Sequence, residues 1–272
     1  WGAARRVDLV FSQDPFSCGL PALFAARVTK VPFIVRIPGD YAWEQARERF
    51  GVTDSVEEFQ KKRYGFLLEM FRSIEQFVVR RADAVVTPSA FIGKIVEGWR
   101  PRRLEVIYNG VDVPKDIVLP DPIPQRPFMV TASRLIYGKG FECLIDLVKE
   151  MPDWRLVVVG AGPLEKQLKD RVAHNGTSDQ VIFTGALSRE KMFGWYKAAT
   201  AFVLNTEFET FSFQVAESLA SGTPTISTAV GGIPEVLKPE LISKANGWFA
   251  LAAVIATVIG MVIGNQLVDV TG

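Results

Sequence analysis

Short apolar runs alternate with longer amphipathic stretches along most of the chain. The apolar runs predict buried strands at 7–11, 32–37, 84–87, 104–108, 128–132, 155–159, 181–184, 201–205 and 225–227. The stretches between them predict helices at 20–28, 57–81, 90–99, 141–150, 164–173, 189–199 and 213–220. The helix over 57–81 is drawn from apolar residues at spacings of three and four, namely Phe66, Met70, Ile74 and Phe77. Strands separated by helices of about ten residues are typical of parallel βαβ units, so the sequence predicts an α/β protein.

A proline-rich segment divides this pattern into two halves. Residues 114–127 hold five of the sixteen prolines, which rules out a continuous helix or a central strand there. We interpret the segment as a linker between an N-terminal domain (1–113) and a C-terminal domain (128–244). Two parallel-sheet domains joined in this way would face a cleft lined by the carboxyl ends of their strands, where open α/β folds bind ligands.

The remaining residues, 245–272, form an apolar tail without a charged side chain between Ala245 and Val268. As a helix, residues 248–264 would be about 26 Å long, just under the thickness of a bilayer core. Small residues recur in it every four positions, as in packed transmembrane helices. Residues 248–264 are therefore a candidate membrane helix, and a buried last helix of the second domain is the alternative.

Composition and charge exclude several classes of protein. With 31 Lys and Arg against 30 Asp and Glu, the net charge is +1, so we expect no nucleic-acid partner. The hydrophobic share of 48% is enough for a sizeable core. Cys18 and Cys143 lie too far apart in the chain for a disulfide scaffold or a cysteine-rich zinc module. His174 is the only histidine, and its polar neighbours favour a solvated surface position.

A cationic, glycine-rich segment follows the first predicted strand of the C-terminal domain. It reads Ser133-Arg134-Leu135 and then Gly138-Lys139-Gly140. Backbone N–H groups and the helix dipole at such a strand-to-helix turn favour an anion. Arg134 and Lys139 add positive charge, and the glycines allow close backbone approach, so a diphosphate would suit the site. Two solvated loop cations are the alternative, and the motif alone would favour them.

Two carboxylates, Glu209 and Glu217, stand with seven residues between them. Glu209 falls in a loop after a strand, and Glu217 falls among apolar residues of the next helix. A carboxylate in that setting is costly unless a donor binds it, and sugar hydroxyls are suitable donors. The N–H groups near Phe211 and Ser212 would lie at the start of the same helix and face the same ligand. One exposed acid and one helix-surface acid are the alternative interpretation.

Two glycine-containing turns complete the set of motifs. Gly231-Gly-Ile-Pro-Glu235, preceded by Gly222-Thr-Pro224, suggests a tight turn near a ligand or the other domain, or an ordinary βα turn. Gly160-Ala-Gly162-Pro163 is a fragment of the dinucleotide fingerprint that lacks the third glycine, which argues against NAD.

In this order, the motifs resemble the family 4 (group 1) glycosyltransferases, which have the GT-B fold of two Rossmann-like domains. The resemblance also rests on Phe183-Thr-Gly185, Ala220-Ser-Gly222, Gly39-Asp40-Tyr41-Ala42-Trp43-Glu44, Pro88-Ser89 and Tyr108-Asn109-Gly110-Val111-Asp112. Thr210 and Ser212 stand where the family commonly has glycines, and Ile37-Pro38-Gly39-Asp40 stands where many members carry a histidine. The N-terminal half is shorter than the family's, and residues 245–268 do not match its closing helices, so we expect a truncated chain.

The resemblance implies transfer of a sugar, with retention at the anomeric carbon, from a UDP- or GDP-linked donor to a glycan, lipid-linked or other acceptor. It implies no cofactor and no metal ion, because Arg134 and Lys139 would hold the diphosphate in place of Mg²⁺. Glu209 would bind the donor sugar and Glu217 the ribose, with the base near Gly185 and Leu187. Glu209, Arg134 and Lys139 are the candidate catalytic residues. We expect a cytoplasmic protein, at the cytoplasmic face of a membrane if residues 248–264 form a membrane helix.

Two other functions stay open at this point. A non-catalytic module that binds nucleotide sugars would fit a truncated chain. A nucleotide-sugar epimerase or a glycogen-type phosphorylase could share the fold, but the first needs further acid–base groups and the second a lysine for pyridoxal phosphate. The two cations followed by the paired glutamates argue against both of these enzymes.

Overall fold

The computed structural model describes residues 7–124 and 127–237. The chain divides into two compact units, with the boundary between Asn109 and Gly110. The apolar tail of residues 245–272, with its candidate membrane helix, lies outside the described residues. Within the two described ranges, no helix is both long and apolar enough to cross a membrane.

The first unit is built on a parallel sheet. Its described strands are β1 (Val10–Ser12), β2 (Phe33–Arg36), β3 (Ala84–Thr87) and β4 (Leu104–Val106). They pair in the order β1-β2-β3-β4. Its helices are α1 (Gly19–Thr29), α2 (Tyr41–Phe50), α3 (Val56–Lys61), α4 (Phe66–Arg81) and α5 (Ala90–Glu97). Strands and helices alternate as expected around the sheet, except that three helices in succession connect β2 to β3.

The prediction of one long helix over 57–81 is wrong. Residues 62–65 separate α3 from α4, and α2 was not predicted at all. The apolar residues that suggested a single helix also do not form the buried face of α4, since Phe66 is 87% exposed and Phe77 is 39% exposed. The buried face includes Glu75, because its carboxylate accepts the N–H groups of Tyr41 and Ala42 at the start of α2. An acid that faces inward to satisfy another helix cannot be recognised from apolar spacing.

The second unit has a doubly wound sheet. Its described strands are β5 (Phe128–Ala132), β6 (Arg155–Val159), β7 (Val181–Gly185), β8 (Ala201–Leu204) and β9 (Thr225–Ser227). Its helices are α6 (Phe141–Lys149), α7 (Glu165–Asn175), α8 (Arg189–Ala198), α9 (Phe213–Ala220) and α10 (Ile233–Val236). All strand pairs are parallel, in the order β7-β6-β5-β8-β9. The predicted elements of this unit are confirmed, and α10 is an addition.

The strand order identifies where this unit can bind a ligand. The chain starts at β5 in the middle of the sheet, runs outward through β6 and β7, and then returns to add β8 on the other side of β5. The loops after β5 and β8 therefore leave the sheet in opposite directions and open a crevice at the carboxyl ends of these strands. The helices α6 and α7 pack on β5 and β6 through a buried apolar cluster that includes Leu144, Leu156 and Leu168, which fixes the base of the crevice.

Candidate functional site

The loops after β5 and β8 are bonded to each other at this crevice. The carbonyl oxygen of Gly138 accepts the N–H of Glu207 at 2.8 Å and the hydroxyl of Thr206 at 3.3 Å. Gly140, with φ of +60°, precedes α6, and a Cβ at that position would lie 2.1 Å from the carbonyl oxygen of Asn205. Only glycine allows this approach, so the cationic segment is held against the end of β8 by backbone contacts.

The same contacts bring together two predicted site residues. Lys139 Nζ lies 2.5 Å from Glu209 Oε1, although 70 positions separate them in the chain. The two side chains are 17% and 14% exposed, so the ion pair is mostly shielded from water. Thr206 Oγ1 lies 3.5 Å from the same ammonium group. Lys139 is therefore held in one place, with its charge at the mouth of the crevice.

Arg134 lies in the same loop as Lys139 but points into solvent. It forms no ion pair with any residue in the described part of the chain, so none of those residues neutralises its charge. The loop after β5 thus presents one paired cation and one unpaired cation. Their combination at a strand-to-helix turn suits an anionic ligand.

The paired-glycine turn proves to be part of this site. Gly231 has φ of +57°, and a Cβ on it would lie 1.9 Å from the carbonyl oxygen of Glu209. That oxygen accepts the N–H of Gly232 at 2.9 Å. The turn before α10 therefore packs directly on the backbone of Glu209 and fixes the position from which the Glu209 side chain extends.

Glu217 lies in α9, the helix that follows the loop of Glu209, and its side chain is 15% exposed. Burial raises the pKa of Glu217, and the charge of Arg189 partly opposes this effect. Arg189, the first residue of α8, approaches the carboxylate at 3.5 Å and also donates to the carbonyl oxygen of Asp112 at 2.6 Å. Sequence reasoning missed Arg189, because nothing in the sequence pairs the start of one helix with the middle of the next.

The start of α9 is strained. Ser212 caps this helix, and its hydroxyl accepts the N–H of Val215 at 3.5 Å. Its φ of +70° is in the left-handed region that favours glycine, so serine at this position carries backbone strain. Phe211 and Ser212 are both buried.

The loops after β6 and β7 form the other side of the carboxyl edge. The N–H of Gly160 donates to the carbonyl oxygen of Gly185 at 2.9 Å, while Leu187 follows in the same loop. A Cβ on Gly162 would lie 2.4 Å from the carbonyl oxygen of Leu135. Gly160 and Gly162 are thus explained by packing against neighbouring loops. Gly185 and Leu187 lie two strands away from the loop of Lys139, at the far end of the edge.

The hydroxyls of Thr206 and Thr228 were also missed, and they connect the loops after β8 and β9. Thr228 Oγ1 donates to the carbonyl oxygen of Thr206 at 2.6 Å and accepts the N–H of the same residue at 3.1 Å. The only available signal was position, since Thr228 follows β9 directly and Thr206 lies two residues after β8. His174, as predicted, is exposed on α7 and takes no part in the site.

Together, these groups can bind a ligand that is anionic at one end and rich in hydroxyl groups at the other. Arg134 and Lys139 supply positive charge, whereas Glu209 and Glu217 supply acceptors. In the ranges that the structure describes, no cluster of three His, Cys, Asp or Glu side chains could hold a metal ion.

Comparison with known proteins gives matches to two family models. The model described as glycosyl transferases group 1 matches residues 120–259, and the model described as glycosyltransferase family 4 matches residues 1–115. Sulfoquinovosyl transferase SQD2 of Arabidopsis thaliana is 28% identical over 91% of this chain and 48% of its own length. Alpha-monoglucosyldiacylglycerol synthase of Streptococcus pneumoniae is 27% identical over 82% of this chain and 52% of its own length. The chain spans about half the length of these relatives.

Solved structures show the same architecture. Anabaena Alr3699/HepE in complex with UDP matches with a TM-score of 0.71 and 17% identity, over 99% of this chain and 79% of that chain. Sucrose-phosphate synthase from Thermosynechococcus elongatus matches with a TM-score of 0.65 and 20% identity, over 93% of this chain and 64% of that chain. At these identities the likeness shows the fold.

Proposed function

Because this chain belongs to the family of group 1 glycosyltransferases, we propose that it transfers a sugar from a UDP- or GDP-linked donor to a glycan, lipid-linked or other acceptor, with retention of the anomeric configuration. The observation that carries the proposal is the contact of 2.5 Å between Lys139 and Glu209 at the crevice of the second sheet. It sets a fixed cation and a hydroxyl acceptor side by side at the point where a diphosphate would join a sugar.

We propose the remaining roles from the resemblance of these motifs to those of the family. Arg134 and Lys139 bind the diphosphate, and Glu209 accepts hydrogen bonds from the donor sugar. Glu217 accepts hydrogen bonds from the ribose, which supplies donors to a carboxylate that burial otherwise penalises. Gly185 and Leu187 lie beside the base, and the N–H groups of Phe211 and Ser212 face the phosphates.

In the proposed reaction, the bond between the anomeric carbon and the diphosphate oxygen breaks. An acceptor hydroxyl attacks from the face that the diphosphate leaves, and its proton passes to the departing diphosphate oxygen. Negative charge accumulates on the leaving diphosphate, and the two cations of the loop after β5 stabilise it more in the transition state than in the ground state. Lys139 acts on both parts of the donor, since it faces the diphosphate and holds Glu209 against the sugar. We propose that this pair of cations takes the place of a divalent metal.

The relatives support both the donor class and the acceptor class. The Anabaena protein has also been solved with UDP-glucose, and another relative, from Corynebacterium glutamicum, is a GDP-mannose-dependent alpha-mannosyltransferase. The synthase from S. pneumoniae is named for a diacylglycerol product. These names favour a nucleoside diphosphate donor and make a lipid-linked acceptor a reasonable first choice.

The proposal is tested by turnover. The full chain is incubated separately with UDP-glucose, UDP-N-acetylglucosamine and GDP-mannose plus candidate acceptors, and both free nucleoside diphosphate and the anomeric coupling of the product are measured by NMR. We expect release of one nucleotide together with a product of unchanged anomeric configuration. An inverted product would contradict the mechanism. Binding without turnover would favour a binding module, and isomerised donor would favour an epimerase.

We further propose a cytoplasmic location. Both cysteines, Cys18 and Cys143, are free and exposed, which suits a reducing compartment. Association with a membrane through residues 248–264 is part of the same proposal. Flotation of the full chain with vesicles, compared with a chain that ends at Glu240, tests it: loss of flotation on truncation is expected, and equal flotation would contradict it.

A further inference from the structure

An arginine at the carboxyl edge of the first sheet has only neutral partners. Arg36 ends β2, in the interior of the sheet. Its guanidinium donates to Asn109 Oδ1 at 2.7 Å and approaches Gln13 Oε1 at 3.4 Å. Gln13 follows β1 and Asn109 follows β4, so this one side chain spans the loops at both ends of the edge.

The acids in the adjacent loops bind elsewhere. The carboxylate of Asp14 accepts the N–H groups of Phe16 and Ser17 at 2.8 and 2.5 Å, just before α1. The carboxylate of Asp40 accepts the N–H of Trp43 and the side-chain amide of Gln60. Across the described residues, no carboxylate forms an ion pair with Arg36. The acids of these two loops are instead bonded at the starts of α1 and α2.

This arrangement leaves both charge and donors free on Arg36. A guanidinium has five N–H groups in a planar fork, and the two amide contacts use two of them. The remaining three can take a tetrahedral or planar oxyanion through two parallel bonds, which a lysine cannot do. A half-buried cation loses hydration without a counter-charge, so an anion that arrives there gains more than it would at an exposed arginine. The carboxyl edge of an open parallel sheet is where such folds bind ligands.

We propose that Arg36 anchors a phosphate-ester group of the acceptor. Gln13 and Asn109 hold the guanidinium in position, and its free N–H groups bind two phosphate oxygens. That the ligand is the acceptor rests on the proposed function, whereas phosphate binding at Arg36 does not. The phosphate ester could be that of a soluble sugar phosphate or of a lipid headgroup.

The test measures binding of glucose 6-phosphate and of glucose to the full chain by calorimetry, with Arg36→Gln, Arg36→Lys and the control Arg49→Gln, an exposed arginine of the same unit. Flotation with vesicles of phosphatidic acid or phosphatidylcholine is measured in parallel. We expect Arg36→Gln to weaken glucose 6-phosphate binding, or flotation with phosphatidic acid, at least tenfold. Arg36→Lys should lie in between, and Arg49→Gln should match the wild type. An effect on glucose 6-phosphate assigns a soluble phosphate, and an effect on vesicles alone assigns a lipid headgroup.

Three results would overturn the proposal. The wild type could bind neither phosphate probe better than its neutral counterpart. Arg36→Gln could bind as the wild type does while its melting temperature falls, which would make Arg36 a structural brace. Arg134→Ala could abolish glucose 6-phosphate binding, which would place the phosphate in the second unit. Failure of the proposed function is separate, because it would appear as absent binding of UDP and GDP with phosphate binding at Arg36 retained.

Discussion

Replacement of Gly231 by alanine tests how the glycine turn supports the site. The new Cβ would lie 1.9 Å from the carbonyl oxygen of Glu209, where real contacts stay beyond 3.0 Å, so the two backbones must separate by about 1 Å. The residue would also keep a φ of +57°, at a cost of about 1–2 kcal/mol. The steric term adds about 1–3 kcal/mol to the loss in free energy of unfolding. A shift of about 1 Å in Glu209 is enough to reduce turnover by about 10²-fold.

Gly176→Ala is the matched control. Gly176 has φ of +70°, but nothing lies within 4 Å of a Cβ placed on it. We expect Gly176→Ala to lose only the backbone term in urea denaturation and to bind donor normally. Gly231→Ala should be less stable than this control and should bind nucleotide sugar more weakly. If both variants lose the same stability and both bind donor as the wild type does, the turn does not position Glu209.

Three further changes have defined outcomes. The hydroxyl of Tyr196 is buried without a hydrogen-bond partner among the described residues, so Tyr196→Phe should raise the free energy of unfolding by about 1 kcal/mol, and a loss measured in urea would contradict this. Burial raises the pKa of Glu217 above its usual 4.5, so its ionised form destabilises the fold as the pH rises through the raised pKa. Glu217→Gln should therefore gain stability relative to the wild type with increasing pH while it binds nucleoside diphosphate more weakly; a parallel pH profile would refute the cause. Donor binding and transfer should persist in EDTA, and a strict requirement for Mn²⁺ or Mg²⁺ would show that Arg134 and Lys139 do not replace a metal.

Local signals predicted most of the second unit. The segments over 128–132 and 155–159 are short and mostly apolar, each is followed by a helical pattern, and each strand is found at the predicted residues. In the first unit the same reasoning failed at 57–81, because the break at 62–65 contains no proline and Glu75 faces inward. Periodicity finds an element when its buried face is apolar, and it misreads one whose buried face carries an acid bonded to another helix.

Several residues of the candidate site were predicted from the sequence, but their arrangement was not. Lys139 and Glu209 were each found in a loop after a strand, yet their contact depends on β5 and β8 being neighbours, which no local pattern reveals. Arg189 and Arg36 were missed for a related reason. Their partners lie on other elements, and an isolated arginine in a sequence is normally a solvated surface residue.

Binding of nucleoside diphosphate and of free nucleoside to Arg134→Ala tests the central claim most directly. Arg134 is exposed and has no ion pair with the described residues, so its removal should leave the fold intact. Loss of a charge-assisted contact should weaken binding of UDP or GDP by about 1.5–3 kcal/mol, roughly 10- to 150-fold, with binding of uridine or guanosine unchanged. Lys166→Ala, an exposed lysine of the same unit, should behave as the wild type. Equal weakening of nucleoside and diphosphate, or no weakening of either, would show that this loop does not hold the phosphates of a sugar donor.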